Sequence, residues 1–287
     1  MIMRFKPFPY LLLTPYLIVF ILFLGYPIIR GFYMSLFDWG IMGPREFLGL
    51  GNYISLFSDD RFWRVLGNSL LFTVLYVPPV VILSMLLAVL LHGYLPGISI
   101  FRSAFFLPIV INVSVSAIAI QWVMDPQIGL LNRLLDGVGI PPQRWLTQPG
   151  WAMLVVSLVV IWSSAGFNII IFLAGLENIS SEIYEAAQVD GSTPWHTFIY
   201  ITIPLLRPVT LLVAVLSMIG SLQVFGEIFL LTGGGPFGST TVLAYYLYEQ
   251  GFNNFKFGIA AAVGVVMTAL IAVLTLIQFR FFGNKAT

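Results

Sequence analysis

The chain has 287 residues, 59% of them hydrophobic and only 9% charged, with a mean hydropathy of +0.97 and a formal net charge of +1. Thirteen Lys and Arg with twelve Asp and Glu cannot cover a water-soluble globule of this length, so the solvent is lipid. The basic residues are too scattered for a phosphate-binding patch, which argues against nucleic acid as a partner, and the lack of cysteine excludes disulfides, thiolate catalysis and Cys-ligated zinc.

A helix crosses a hydrocarbon core of roughly 30 Å with about 20 apolar residues, because every backbone polar group must be satisfied within it. Six segments meet that length. The first, Tyr10 to Phe37, is too long and too polar in its tail for a cleaved signal peptide, has no small-x-small cleavage site, and is read as retained. The others run from Asn68 to Leu91, Ala104 to Met124, Trp151 to Leu176, Val209 to Leu231 and Gly258 to Phe282. Pro78-Pro79 in the second and Pro108 in the third remove helical hydrogen bonds and predict kinks or breaks. The intervening Asp59-Asp60-Arg61, Asp125-Pro126-Gln127, Pro141-Pro142-Gln143 and Gly233-Gly234-Gly235-Pro236 read as turns. The two histidines, His92 and His196, are far apart and neither begins an H-E-x-x-H pattern, so no metal site is expected. The fold class is therefore an all-α membrane protein of six transmembrane helices, with residues 1–287 as one domain.

Charge orients the chain weakly. An N terminus inside puts Arg4, Lys6, Arg102, Arg207, Arg280 and Lys285 on the cytoplasmic side, against Arg30, Arg45, Arg61, Arg64, Arg133, Arg144 and Lys256 outside. By the positive-inside rule that balance selects neither orientation, although the short terminal flanks favour the inside.

The polar connection between spans four and five, Leu176 to Pro208, has helical patterning of its own. Ser181 caps a first helix with Glu182 in its first turn and Ile183, Ala186 and Ala187 on one face; Gly191 stops it. A second helix starts at Ser192 or Thr193 with Pro194 in its first turn, and Trp195, Phe198, Ile199 and Ile203 fall on one side before Pro204. By pattern alone this is an interfacial amphipathic hairpin covering the ends of neighbouring spans.

The residue string narrows that reading. Glu185-Ala186-Ala187, Gly191 after three residues, and Ile201-Thr202-Ile203-Pro204 after nine more resemble the EAA loop of ABC-importer permeases, with Ile203 where that family usually has Leu. Gly49-Leu50-Gly51-Asn52-Tyr53, Leu56-Phe57, Asn68-Ser69 and Phe106-Leu107-Pro108 are similar to the carbohydrate-uptake branch. So are Gly234-Gly235-Pro236, Thr240-Thr241, Leu243, Tyr246, Tyr248 and Phe257-Gly258, which together extend the resemblance over nearly the whole chain. Within that branch the chain resembles the larger permease subunits of maltose-type and glycerol-phosphate-type importers. The resemblance implies a cytoplasmic coupling loop over 177–208, both termini inside a bacterial or archaeal cytoplasmic membrane, and docking into a cleft of an ATP-hydrolysing subunit. The coupling residues it implies are Glu185, Ala186, Ala187, Asp190, Gly191, Ile201 and Pro204. Its partners are a second homologous permease subunit, two ATP-binding subunits and an extracytoplasmic solute-binding protein. No cofactor is expected in this chain; ATP and Mg belong on the ATPase subunits. Gly233, four residues and Gly238 mimic a P-loop, but Ser239 stands where the phosphate-binding Lys is needed, so the chain is no enzyme.

Polar groups within the spans are candidates for a solute path, because lipid leaves them unsatisfied. Span four supplies Trp162, Ser163, Ser164, Phe167 and Asn168, and span five Ser217, Gly220, Ser221, Gln223 and Glu227, a hydroxyl, amide and aromatic set apt for sugars. The maltose-type resemblance assigns sugar contact to Ser163, Ser164, Phe167, Ser217, Gly220, Ser221 and Val224, although Val224 has lost polar character. Ser163 and Gly220 equally suit close helix packing, and Glu227 suits either an aqueous vestibule or an ion pair with a neighbouring subunit. The expected function is import of a sugar, oligosaccharide, polyol or sugar phosphate. A stand-alone channel or ion-coupled transporter would need more buried ionisable groups than Glu227, and a membrane enzyme a catalytic cluster at a surface loop.

Overall fold

The computed structural model describes residues 8–93 and 97–283. Arg4, Lys6 and Lys285, three of the charges used for orientation, lie outside the described residues. Helix α1 covers residues 8–35 and is followed by a hairpin of β1 (Phe37–Gly40) and β2 (Gly43–Phe47). Then come α2 (Gly51–Phe57), α3 (Asp60–His92), α4 (Ile98–Val110), α5 (Val113–Val123), α6 (Leu130–Asp136) and α7 (Trp151–Glu177). The remainder is α8 (Ser181–Val189), α9 (Pro194–Leu205), α10 (Arg207–Leu222), α11 (Gly226–Leu231), α12 (Leu243–Tyr248) and α13 (Phe257–Gly283).

Among the described residues, four helices are long and apolar enough to cross a membrane: Leu12–Ser35, Asp60–His92, Trp151–Glu177 and Phe257–Arg280. Two bent pairs, α4 with α5 at 101° and α9 with α10 at 66°, bring the count to six if each is one span.

Three details of the spans depart from the sequence reading. Pro78 and Pro79 sit inside α3 without breaking it. Helix α3 also starts at Asp60 rather than near Asn68, because the Asp59 carboxylate accepts from the Arg61 amide (2.8 Å) and caps the added turns. The fifth predicted span, Val209 to Leu231, is two helices separated by Gln223, Val224 and Phe225. No proline marks that break. It exists where the backbone borders a cavity, an environment at membrane depth that tolerates irregular chain.

Contacts within the chain form two compact units. The first comprises, of the described residues, 8–62 and 246–268. Here the Asn52 amide donates to the carbonyls of Ser35 and Phe37 (2.8 Å each), and the Ser35 and Tyr53 hydroxyls pair at 2.7 Å. Gly258 lies so close to the same Phe37 carbonyl that a Cβ would stand 2.2 Å from it. Two motifs distant in sequence, Gly51-Asn52-Tyr53 and Phe257-Gly258, thus fix one peptide. Arg61 pairs with Glu249 and lies 5.5 Å from the Tyr246 ring centroid, while the Tyr246 hydroxyl donates to Asp59 (3.2 Å). Burial, then the Asp59 charge and hydrogen bond, push the Tyr246 phenol up to about 12.

The second unit, of the described residues 63–93, 97–245 and 269–283, is built around α7. Its core gathers Phe72 and Val80 of α3, Val156 and Phe172 of α7, Leu206, Val213 of α10 and Ile228 of α11. Glycines set how closely the helices approach. A Cβ on Gly166 would lie 2.3 Å from the Phe105 carbonyl of α4, and one on Gly175 would lie 2.7 Å from Val209 of α10. The P-loop mimic is a turn, with Gly233, Gly234 and Gly238 at positive φ. Thr240 and Thr241 donate to the carbonyls of Gly235 and Gly234, and the Asn68 amide donates to those of Gly238 and Thr241.

Candidate functional site

Two features of the second unit gather the polar residues singled out above. The first is a cavity of about 600 Å³ between α3, α4, α5, α7 and the α10–α11 break. Both interrupted helices open onto it. At one interruption Ile111 is extended and the Asn112 side chain accepts from the Ser114 amide (2.9 Å), capping α5. At the other, Gln223 ends α10 and α11 begins at Gly226, which packs beside Val113 of α5. The Gln121 amide of α5 donates to the Leu230 carbonyl of α11 at 2.7 Å, tying the two half-helices together. Pro108 sits inside α4 without ending it; the helix stops at Val110 and the bend falls at residues 111–112, where the Asn112 side chain caps the start of α5.

Of the candidate path residues, Ser163, Ser164, Phe167, Gly220, Gln223 and Glu227 line this cavity, with Val224 beside them. Phe167 and Gln223 are exposed to it, and a Cβ on Gly220 would meet nothing within 4 Å. Asn168, Ser217 and Ser221 are instead buried between helices. The Asn168 amide donates to the Ser217 hydroxyl at 3.4 Å; the Ser221 hydroxyl pairs with that of Thr73 at 2.8 Å and donates to the Met218 carbonyl at 2.7 Å. Those three groups form the wall behind the cavity. Trp162 is exposed and does not line the cavity.

Tyr76, Ser116 and Phe225 also line the cavity and were not picked out from the sequence. The Tyr76 hydroxyl donates to that of Ser164 (3.0 Å), which donates on to the Val160 carbonyl (2.6 Å). A phenol within an apolar span and the Ser114, Ser116 pair just after Pro108 were the available signals.

The second feature is the loop joining α7 to α10. The cap of α8 is Ser180, whose hydroxyl accepts from the Glu182 amide (3.3 Å), not Ser181. At the other end Gly191 has φ +76°, its amide donates to the Gln188 carbonyl (3.0 Å), and Ser192 donates to that of Ala187 (2.9 Å). This is a Schellman closure, which places the left-handed residue where glycine carries no Cβ penalty. Thr193 caps α9 by accepting from the His196 amide (3.3 Å), with Pro194 in the first turn. Paired hydroxyls, Ser192 with Thr197 (3.0 Å) and Tyr184 with Thr202 (3.3 Å), hold the two helices at a fixed angle.

Of the candidate coupling residues, Ala187, Asp190, Gly191 and Ile201 line a concavity of about 440 Å³ at the elbow, together with His196 and Tyr200. Glu185 and Ala186 are exposed outside it, and Pro204 is half-buried at the α9 C-terminal end. The expected apolar faces are only partly covered: Ala187 is buried and Phe198, Ile199 and Ile203 are half-buried, whereas Ile183, Ala186 and Trp195 are exposed. Val189 and Tyr200, outside those faces, are exposed as well, Val189 at 87% against 69% for Trp195.

Residues 48–285 match the family model described as binding-protein-dependent transport system inner membrane component. The chain is 36% identical to the probable ABC transporter permease YurN of Bacillus subtilis, with 98% of each chain covered. It is also 36% identical to the lactose transport system permease LacF of Rhizobium radiobacter, covering 94% of this chain and 92% of LacF. Among solved structures it superposes with TM-score 0.87 and 28% identity on a chain of a bacterial alginate ABC transporter in complex with an alginate pentasaccharide-bound periplasmic protein. That match covers 98% of this chain and 95% of the other.

Proposed function

The chain belongs to the family of binding-protein-dependent transport system inner membrane components, an ABC-importer permease fold, and from that premise we propose how it works. It is a single permease domain that moves a sugar, oligosaccharide, polyol or sugar phosphate across a bacterial or archaeal cytoplasmic membrane, with both termini on the cytoplasmic side. A second homologous permease completes the pathway. An extracytoplasmic binding protein delivers the solute, and two ATPase subunits, holding ATP and Mg, drive the cycle. The lactose and alginate systems named above support the saccharide class, and the periplasmic protein bound in the alginate structure supports delivery by a binding protein.

The observation that carries the coupling role is the α8–Gly191–α9 elbow. It is rigidly closed by its own caps, yet it leaves Val189, Trp195 and Glu185 without cover in this chain. An ordered surface of that kind suits a cleft in another subunit: apolar side chains fill it and the carboxylate meets a cation. Gly191→Val tests the role. A Cβ at Gly191 meets nothing within 4 Å, so the defect comes from the left-handed backbone, which costs an L-residue about 1–2 kcal/mol, or roughly five- to thirtyfold in docking. Gly191→Val should insert normally and pair with the second permease, but co-purify poorly with the ATPase and lose solute-stimulated ATP hydrolysis in proteoliposomes. Gly191→Asn, which tolerates that conformation, should retain most of both. Wild-type stimulation by Gly191→Val would show that the elbow is an interfacial cover and not the coupling contact.

A further inference from the structure

The cavity wall is chemically lopsided. Tyr76, Ser116, Ser163, Ser164 and Gln223 offer neutral donors and acceptors, and Phe167 and Phe225 offer ring faces. Its one charged lining residue among the described residues is Glu227; no Lys, Arg or His borders the space. The two ion pairs of the described residues, Arg45 with Asp38 and Arg61 with Glu249, lie in the other unit, and Glu227 takes part in neither. An acidic group at membrane depth without a cationic partner is tolerated where it faces an aqueous space, and the α10–α11 break turns Glu227 toward one.

A single negative charge in a low-dielectric cleft sets the sign of the potential along it. A neutral solute passes without penalty, whereas a phosphate, sulfonate or carboxylate within about 6 Å of Glu227 is disfavoured by about tenfold at an intermediate effective dielectric. We infer that Glu227 makes this path selective against anions and that the solute is an uncharged saccharide or polyol, recognised by hydroxyl, amide and ring contacts. This inference rests on the cavity being the solute path. It narrows the proposed solute classes by removing sugar phosphates and acidic saccharides.

The test uses the complete transporter, with its second permease, ATPase subunits and cognate binding protein. The binding protein is first titrated with neutral oligosaccharides, polyols, sugar phosphates and uronate oligosaccharides. Uptake into proteoliposomes is then compared for the preferred neutral saccharide and its aldonate, each at saturating binding protein, in wild type, Glu227→Gln and Gln223→Glu. The expected results are a neutral ligand, about tenfold slower uptake of the aldonate by wild type, a ratio reduced several-fold in Glu227→Gln, and a larger ratio in Gln223→Glu, where a second charge enters the same wall. Gln223→Glu keeps the question open to refutation if Glu227→Gln fails to fold. A binding protein that prefers a phosphate or uronate, or a ratio unmoved by both substitutions, overturns the inference and leaves ATP-driven saccharide import intact. If no saccharide stimulates ATP hydrolysis or uptake in wild type, the proposed function falls with it.

Discussion

Gly166 and Gly220 lie in neighbouring helices of the same unit, and the same Gly→Ala change should act on them with opposite sign. At Gly166 the added Cβ would stand 2.3 Å from the Phe105 carbonyl oxygen and 3.2 Å from the Phe106 Cα. Ordinary contact begins at 3.4 Å, so α7 and α4 must part by about 1 Å along a stretch where both elements are backbone and no side chain can swing away. Overpacking of this kind costs about 1–3 kcal/mol, which at the middle of that range lowers an apparent melting temperature by roughly 4–8 °C. At Gly220 nothing lies within 4 Å, and alanine gains up to about 1 kcal/mol of helix propensity. Melting of the purified permease, followed by loss of its monodisperse peak in a fixed detergent at a fixed heating rate, reports both changes. Unchanged melting of Gly166→Ala, or an equal loss in Gly220→Ala, would refute the claim that backbone contact at Gly166 sets the α4–α7 distance.

Ser221→Leu should reduce folded yield, because Ser221 is 1% exposed and its hydroxyl pairs with Thr73, whereas Ser164→Leu should fold and lose uptake by filling the cavity. Folded yield by size exclusion and uptake in proteoliposomes separate the two, and full yield with lost uptake for Ser221→Leu would contradict its placement in the wall. Tyr246 supplies a pH test. A phenol raised from 10.0 to about 12 contributes stability that is fully present below pH 10 and is lost as pH rises through about 12. The decline of melting temperature over that window should be shallower in Tyr246→Phe, and an identical decline would remove Tyr246 as its source.

Much of the scaffold was legible because lipid leaves a chain few options. Trp151 to Leu176 and Gly258 to Phe282 were placed to within a residue of the helices observed, since a long apolar run bounded by turn residues has one solution in a bilayer. The connection between α7 and α10 was legible for a different reason, as Gly191, Thr193 and Pro194 are local backbone signals that need no partner. What escaped were tertiary decisions. Gln223, Val224 and Phe225 interrupt a helix without a proline, because the adjoining cavity accommodates the irregular backbone, while Pro78-Pro79 leave α3 unbroken. The division of the serines was equally hidden. Ser164 faces the cavity and Ser221 its wall, a distinction set by the rotation of α7 and α10 against α3 and not by composition. The hairpin at Phe37–Phe47 was missed because its strands are short and follow directly on a long apolar helix.

Helix α7 runs without interruption from Trp151 to Glu177, and α8 begins four residues later at Ser181. Ser164 and Glu177 are thirteen residues apart on that rod, about 20 Å at 1.5 Å per residue. No hinge lies between them. The rod behaves as a stiff lever, so a tilt of about 10° that moved its Glu177 end by about 3.5 Å would carry the serine face with it in a single motion. The joints able to absorb such a tilt are the three residues after Glu177 and the 66° turn at Leu206, both in the connection and neither in the cavity wall.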